Sequence, residues 1–437
     1  MNKPPWWHRV RFVARLLALS LLLLFLPVAV AQEPATQQAS LQSLLAQADD
    51  VLREMSQLTG LPIKGPLKKQ VVNRAEVTKY LEENLHEEMT PAEIHAQEAL
   101  VRALGLVPQD FSLERFLVAF YTEQAAGFYD YKRRTMFIAD WVPPDMQAMT
   151  LAHELTHALQ DQNFDLDRYM HARRDDDDAT GARLAVIEGY ATAAMFQHLA
   201  GGVDLAQLPS LSSLMHEMMP QQIEGAPEFN NAPYFFREQA LFPYVQGVGF
   251  IEAGLQQGGW KNLNTLFQDA PETTRQIFDP QTYYHHQAPA KIELAHPPAL
   301  EGVSSLHFLY QNSLGELGYY GLLGQLLSED EARNVGEEWL ADKYVLYEQS
   351  GGNGYTLVAR TRWTSADAAG AFFRDYHTIL THKYPQLSTD PRSSSDVFIG
   401  SAANGVSLLL REGDECWWAE GVPPAKADAL LAWLRHQ

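Results

Sequence analysis

"LAHELTHALQDQ", Leu151 to Gln162, is the stretch on which the reading of this chain turns. His153 and His157 stand four apart, with Glu154 directly after the first. On a helix, residues four apart share a face. Two imidazole nitrogens can then converge on one ion, at the roughly 2.0–2.1 Å of a zinc–nitrogen bond. Glu154, one position on, points beside such an ion rather than at it, where a carboxylate can take a proton from an attacking water. The flanks favour the helix: Pro143 and Pro144 keep the approach extended, and Asp145 is placed to cap. A helix is expected from Met146 to about Asp161.

A catalytic zinc takes three protein ligands and leaves one position open. A histidine six residues after His157 is excluded, because Asn163 stands there, and Gln160 occupies the position where such sites carry glycine. A downstream acid is the remaining class. Glu188, in "VIEGYATAAM", is the best candidate. Its expected helix, about Ala179 to Leu199, carries small residues at Ala182, Ala185, Ala191 and Ala194, which allow close packing on a neighbour. A carboxylate on so apolar a stretch is costly to bury unless a cation meets it. The expected metal set is His153, His157 and Glu188, holding one Zn2+ per chain.

HELTH followed by E-G-x-A on a later helix resembles the gluzincins, the thermolysin- and M1-aminopeptidase-type zinc peptidases of clan MA. A third segment adds to the likeness. "FPYVQGVGFIEAGLQQGGW", Phe242 to Trp260, resembles the P-Y-x-x-G-x-x-F segment of M1-type enzymes. In those enzymes its tyrosine stabilises the oxyanion, a role the resemblance gives to Tyr244; a phenol can donate to charge developing on a tetrahedral intermediate. The likeness covers Gly127 to about Gly259, and it implies a zincin-like core with Glu154 and Tyr244 as catalytic residues. Two departures stand out. Many gluzincins carry an acid four residues after the third ligand to orient a zinc-bound histidine; here that residue is Thr192. The G-x-M-E-N strand that captures a substrate's amino terminus in M1 exopeptidases is also missing, since the strand here reads "RTMFIAD". An endopeptidase is therefore favoured over an aminopeptidase.

The rest of the chain sets the context. Lys3, Arg9, Arg11 and Arg15 precede an apolar run, Leu16 to Val30, that ends in Ala29-Val30-Ala31. This is the pattern of a secretory signal peptide, and it points to a periplasmic or secreted protein with no stable membrane insertion after cleavage. Removing residues 1–31 takes away four of the 33 basic residues and none of the 54 acidic ones, moving the net charge from −21 to −25. Such a surface repels phosphate backbones, which argues against nucleic acid. The expected partner is a peptide or protein substrate. The single cysteine, Cys416, rules out an internal disulfide and reads as a small buried hydrophobe.

The expected fold class is α+β, mainly helical. Four parts are read: a signal peptide (1–31), an N-terminal helical region (32–125), a gluzincin-like zinc peptidase domain (126–330) and a small C-terminal α+β domain (331–437). "NRAE" at Asn73 and "TPAE" at Thr90 are capping boxes that open helices, and "KKQVV" is a candidate strand. Gly127 to Asp140 reads as a hairpin or edge strand. "RRDDDDATGA", Arg173 to Ala182, reads as a solvated acidic loop feeding a helix N-terminus. Helical segments are expected to continue to about Leu327. Beyond Trp339, "KYVLYEQ", "GYTLVARTRW", "DVFIGS" and "VSLLLREGDECWWAEG" read as strands, with helices on one face of the sheet. Tyr283, Tyr284, His285 and His286 read as a surface loop rather than a cleft lining.

Two functions from different classes fit these residues. One is an exported zinc peptidase. The other is a non-catalytic zinc-binding scaffold or interaction protein of the cell envelope. Glu154 discriminates between them, because a structural site gains nothing from a free carboxylate beside its metal and usually closes with a fourth protein ligand.

Overall fold

Both capping boxes form. The Asn73 side chain accepts from Glu76 N at 3.0 Å while Glu76 returns a bond to Asn73 N at 2.8 Å, starting α2 (Arg74–Glu88). Thr90 and Glu93 do the same for α3 (Pro91–Ala103). These belong to a computed structural model that describes residues 20–23, 34–173, 175–203, 205, 210–213, 215, 226–351 and 354–436. The expected signal peptide lies outside the described residues except for β1 (Ser20–Leu23). The N-terminal region also holds α1 (Pro34–Thr59), β2 (Lys68–Val72), where the candidate strand was read, and α4 (Leu113–Gln124).

The fold is α+β with two sheets. The first has the order β1-β3-β4-β2, where β3 (Ala125–Asp130) and β4 (Thr135–Ala139) are the expected hairpin. β3 pairs antiparallel with β4, and β2 runs parallel to β4. Against this sheet lies α5 (Pro144–Phe164), which carries the H-E-x-x-H segment. A short α6 (Leu166–His171) leads to α7 (Asp177–Leu199), whose residues from Asp177 to Met195 are buried apart from Arg183. A helix apolar on all sides belongs in the middle of a core, and α7 packs between α5 and the long α9 (Tyr234–Leu263). A short α8 (Pro227–Asn231) precedes α9, and α10 (Thr274–Phe278) and α11 (Pro280–Tyr284) follow it.

The second sheet is antiparallel and seven-stranded, in the order β5-β6-β7-β11-β10-β9-β8. It opens with β5 (Leu306–Asn312), earlier than expected and inside the run read as helical. After α12 (Gly315–Leu326) and α13 (Glu329–Gly336) come β6 (Trp339–Gln349), β7 (Tyr355–Trp363), α14 (Ala366–Lys383), β8 (Ser388–Thr389), β9 (Val397–Ala402), β10 (Gly405–Glu412), β11 (Glu415–Val422) and α15 (Pro424–Leu434). The expectation of helices on one face is corrected. Leu409, Cys416 and Trp418 face the main core together with Phe372 and Tyr376 of α14. Leu408, Leu410, Trp417 and Ala419 face a second core with Leu430, Leu431 and Leu434 of α15. The unbroken apolar runs "VSLLL" and "CWWA" are what strands covered on both faces require. Cys416 is fully buried, as expected. Among the described residues, no helix is long and apolar enough to cross a membrane.

Candidate metal centre

Four helical and strand elements meet around His153 and His157. α5 supplies both imidazoles and Glu154, and all three side chains are fully buried. α7 supplies Glu188, 1% exposed. The ligand atoms converge: His157 Nε2 is 2.9 Å from His153 Nε2, and Glu188 Oε2 is 3.2 Å and 3.4 Å from the two nitrogens. Donor atoms at the corners of a tetrahedron around zinc stand about 3.3–3.4 Å apart, given bonds of roughly 2.0–2.1 Å. The two separations to Glu188 are close to that spacing and the one between the imidazole nitrogens is about 0.4 Å shorter, so the trio could hold a zinc ion after a small adjustment of the rings. Among the described residues it is the one group of three or more His, Cys, Asp or Glu whose ligand atoms gather this way.

The electrostatics match that use. Burial, then the neighbouring His157, pushes the His153 imidazole down to about 4, so it is neutral at pH 7 with a lone pair to offer. Burial alone would raise the Glu188 carboxyl; the imidazoles of His157 and His153 outweigh it and hold the group below its ordinary value. Glu188 Oε1 and His153 Nδ1 are buried with no hydrogen-bond partner among the described residues. A buried polar atom in that state is unusual and calls for a ligand, an ion or a water.

Glu154 is covered by strand β3. A Cβ at Gly127 would come within 2.6 Å of Thr150 Cγ2 and 3.5 Å of Glu154 Cγ, so only glycine lets the strand lie this close to the helix. Tyr244 arrives from α9. Its ring centre is 6.2 Å from that of His153, and its hydroxyl is hydrogen-bonded to Glu188. Burial, then the charges of Glu188 and Glu154, raises the Tyr244 hydroxyl well above its ordinary value, so it stays a donor.

A second glycine contact places Glu188 and Tyr244 together. A methyl on Gly189, the residue after Glu188, would run into the backbone carbonyl of Gly247, three residues after Tyr244. A methyl on Gly247 would meet Ala185 O at 2.5 Å. The backbones of α7 and α9 touch at this crossing, which is why glycine follows each functional residue at that spacing. Pro243, inside α9, removes the N–H that would bond to the Gln239 carbonyl one turn back, just before Tyr244.

All five residues singled out from sequence, His153, Glu154, His157, Glu188 and Tyr244, thus meet in one place. Thr192 is buried near them, but its hydroxyl has no partner among the described residues and does not stand in for the missing acid. Tyr283 and Tyr284 are half-buried, and their hydroxyls donate to the Asp269 and Phe250 carbonyls. Sequence reading missed Gln160, whose Oε1 is 2.8 Å from His157 Nδ1 and whose Nε2 donates to Ile187 O at 3.1 Å. Its position three residues after His157, on the same helix face, was the available signal.

The acidic stretch feeds the N-terminus of α7 and is exposed at Asp175, as expected, but contrary to expectation Asp177 and Asp178 are buried. Asp176 caps the helix by accepting from Ala179 N. Asp177 accepts from the Tyr310 hydroxyl, and Asp178 accepts from Thr274 N at 2.9 Å and from the Thr274 hydroxyl. Both carboxyls are buried where α7 meets α10, β5 and α12.

Residues 307–431 match a family described as a domain of unknown function (DUF8575), a segment that contains none of the five gathered residues. No curated protein matches the chain, and neither does any solved structure.

Proposed function

We propose that the chain is an exported zinc-dependent peptidase with a zincin-like core, cleaving internal peptide bonds of a peptide or protein substrate. The observation that carries this reading is the convergence of three buried donor atoms, 2.9–3.4 Å apart, beside a carboxylate that is not one of them. His153, His157 and Glu188 would hold the ion. When bound, zinc supplies Lewis acidity toward a carbonyl and toward water. Glu154 takes a proton from the water that attacks the peptide carbonyl carbon, then returns it to the leaving nitrogen as the C–N bond breaks. Tyr244, kept protonated by its surroundings, swings its hydroxyl from Glu188 to the carbonyl oxygen as that atom gains negative charge.

One observation favours a second reading, a closed non-catalytic metal site: His153, Glu154 and His157 have no exposed surface. Hydrolysis of a peptide library separates the two. The peptidase reading requires cleavage that a strong chelator abolishes and added zinc restores, and a Tyr244→Phe rate lower by roughly 10²–10³-fold with zinc retained. A zinc-loaded protein that cleaves nothing would support the closed site.

A further inference from the structure

We propose that Gln160 is the positioning residue of the metal centre: one side-chain amide fixes the tautomer of His157 and ties the helix bearing both histidines to the helix bearing Glu188. The inference rests on the metal reading above and assigns a role to a residue outside the ligand set.

Ile187 O is a carbonyl and can only accept, so the Gln160 atom 3.1 Å from it is the amide nitrogen. That orients the whole amide and leaves Gln160 Oε1 facing His157 Nδ1 at 2.8 Å. Oε1 carries only lone pairs, so the hydrogen in that bond belongs to Nδ1. A neutral imidazole with its hydrogen on Nδ1 has a bare lone pair on Nε2. His157 Nε2 is the atom that faces His153 Nε2 and Glu188 Oε2. The ring is therefore set for coordination without any change of tautomer. Gln160 is itself fully buried, so water does not compete for either bond.

The same amide does a second job. Ile187 immediately precedes Glu188, so the bond from Gln160 Nε2 fixes the height of the third ligand against α5. Two ligands on two helices are thus referenced to one side chain. His153 has no counterpart: its Nδ1 lacks a partner among the described residues. The two histidines are unequal, with His157 held and His153 dependent on the ion. Groups that hold a ligand imidazole from behind typically change metal affinity by roughly 10–100-fold when removed.

The test uses the purified protein and two substitutions. Gln160→Met keeps length and packing volume but cannot accept; Gln160→Glu keeps the accepting oxygen. Zinc affinity is read by competition with a chelating indicator, and the tautomer by imidazole 15N shifts of the metal-free protein. The expected result is a roughly 10–100-fold weaker affinity for Gln160→Met, an affinity between those of wild type and Gln160→Met for Gln160→Glu, which keeps the bond to His157 but loses the one to Ile187 O, and hydrogen on His157 Nδ1 in the metal-free wild type. Equal affinity for Gln160→Met and wild type overturns the inference, as does a Gln160→Glu protein as weak as Gln160→Met. Should Gln160→Met fail to fold, the wild-type spectrum decides: hydrogen on His157 Nε2 overturns it. A wild-type protein that takes up no zinc overturns the metal reading itself, whereas zinc uptake with no effect of Gln160→Met overturns this inference alone.

Discussion

Asp178 and Glu188 lie ten residues apart on α7, about 15 Å along the helix, and both are buried. Their proton affinities go opposite ways. Glu188 faces two imidazoles and is held below its ordinary value. Burial, with Asp176 and Asp342 nearby, raises Asp178 to about 8, and among the described residues Thr274 alone donates to it, from its side chain and backbone. Glu316, across the same seam, is raised to about 8 by burial despite Arg275 beside it, and Asp342 to about 6. The middle of α7 thus holds a carboxylate ready for a cation. Its first turn holds Asp178, which with Glu316 across the seam is largely protonated at pH 7, while Asp342 accepts from Leu314 N and Gly315 N. Burial is common to both, and the partner decides the charge.

Substitution of buried carboxyl groups in the two regions sharpens this contrast most. Glu154→Gln is expected to lower the hydrolysis rate by roughly 10²–10⁴-fold with zinc retained, because the amide cannot take the water's proton. Asp178→Asn is expected to leave the rate unchanged, since an amide oxygen can accept both Thr274 bonds. Steady-state kinetics on the pair checks this, and equal losses would break the distinction between the regions.

Gly189→Ala acts between them. The added methyl must push α7 off α9 at the crossing that brings Glu188 to Tyr244. Overpacking of this kind costs about 1–3 kcal/mol, and the melting temperature should fall together with the rate. A variant as stable and active as wild type would mean that the crossing has slack.

The smallest effect is the pH dependence of the seam. A carboxyl whose folded-state value is raised binds its proton more tightly folded than unfolded. Its contribution to stability is complete below the unfolded value of about 4 and is lost as pH rises toward about 8. Stability should decline across that window, and Asp178→Asn should flatten the decline, as followed by denaturant melts at several pH values. A wild-type curve that rises steadily from pH 5 to 8 would contradict the assignment.

Much of this was legible because it is local. The four-residue spacing of His153 and His157, the two capping boxes and the hairpin each follow from bonds or faces within a few residues. Glu188 was legible for a different reason: a charge among alanines is hard to explain without a partner. What was missed depends on distant contacts. Asp177 and Asp178 look solvated in sequence, and only the arrival of Tyr310 and Thr274, about a hundred residues later, allows their burial. β5 carries a weak alternation, half exposed, and is a strand because β6 offers it an edge. Gln160 is one polar residue among many on α5 until Ile187 O is placed against it.

Zinc stoichiometry tests the central claim most directly. Metal analysis of the purified protein, wild type beside Glu188→Gln, is expected to find about one zinc per chain in the first and none in the second, because the amide removes the charge that completes the donor set. No zinc in the wild type, or one in both proteins, would contradict a metal centre built from His153, His157 and Glu188.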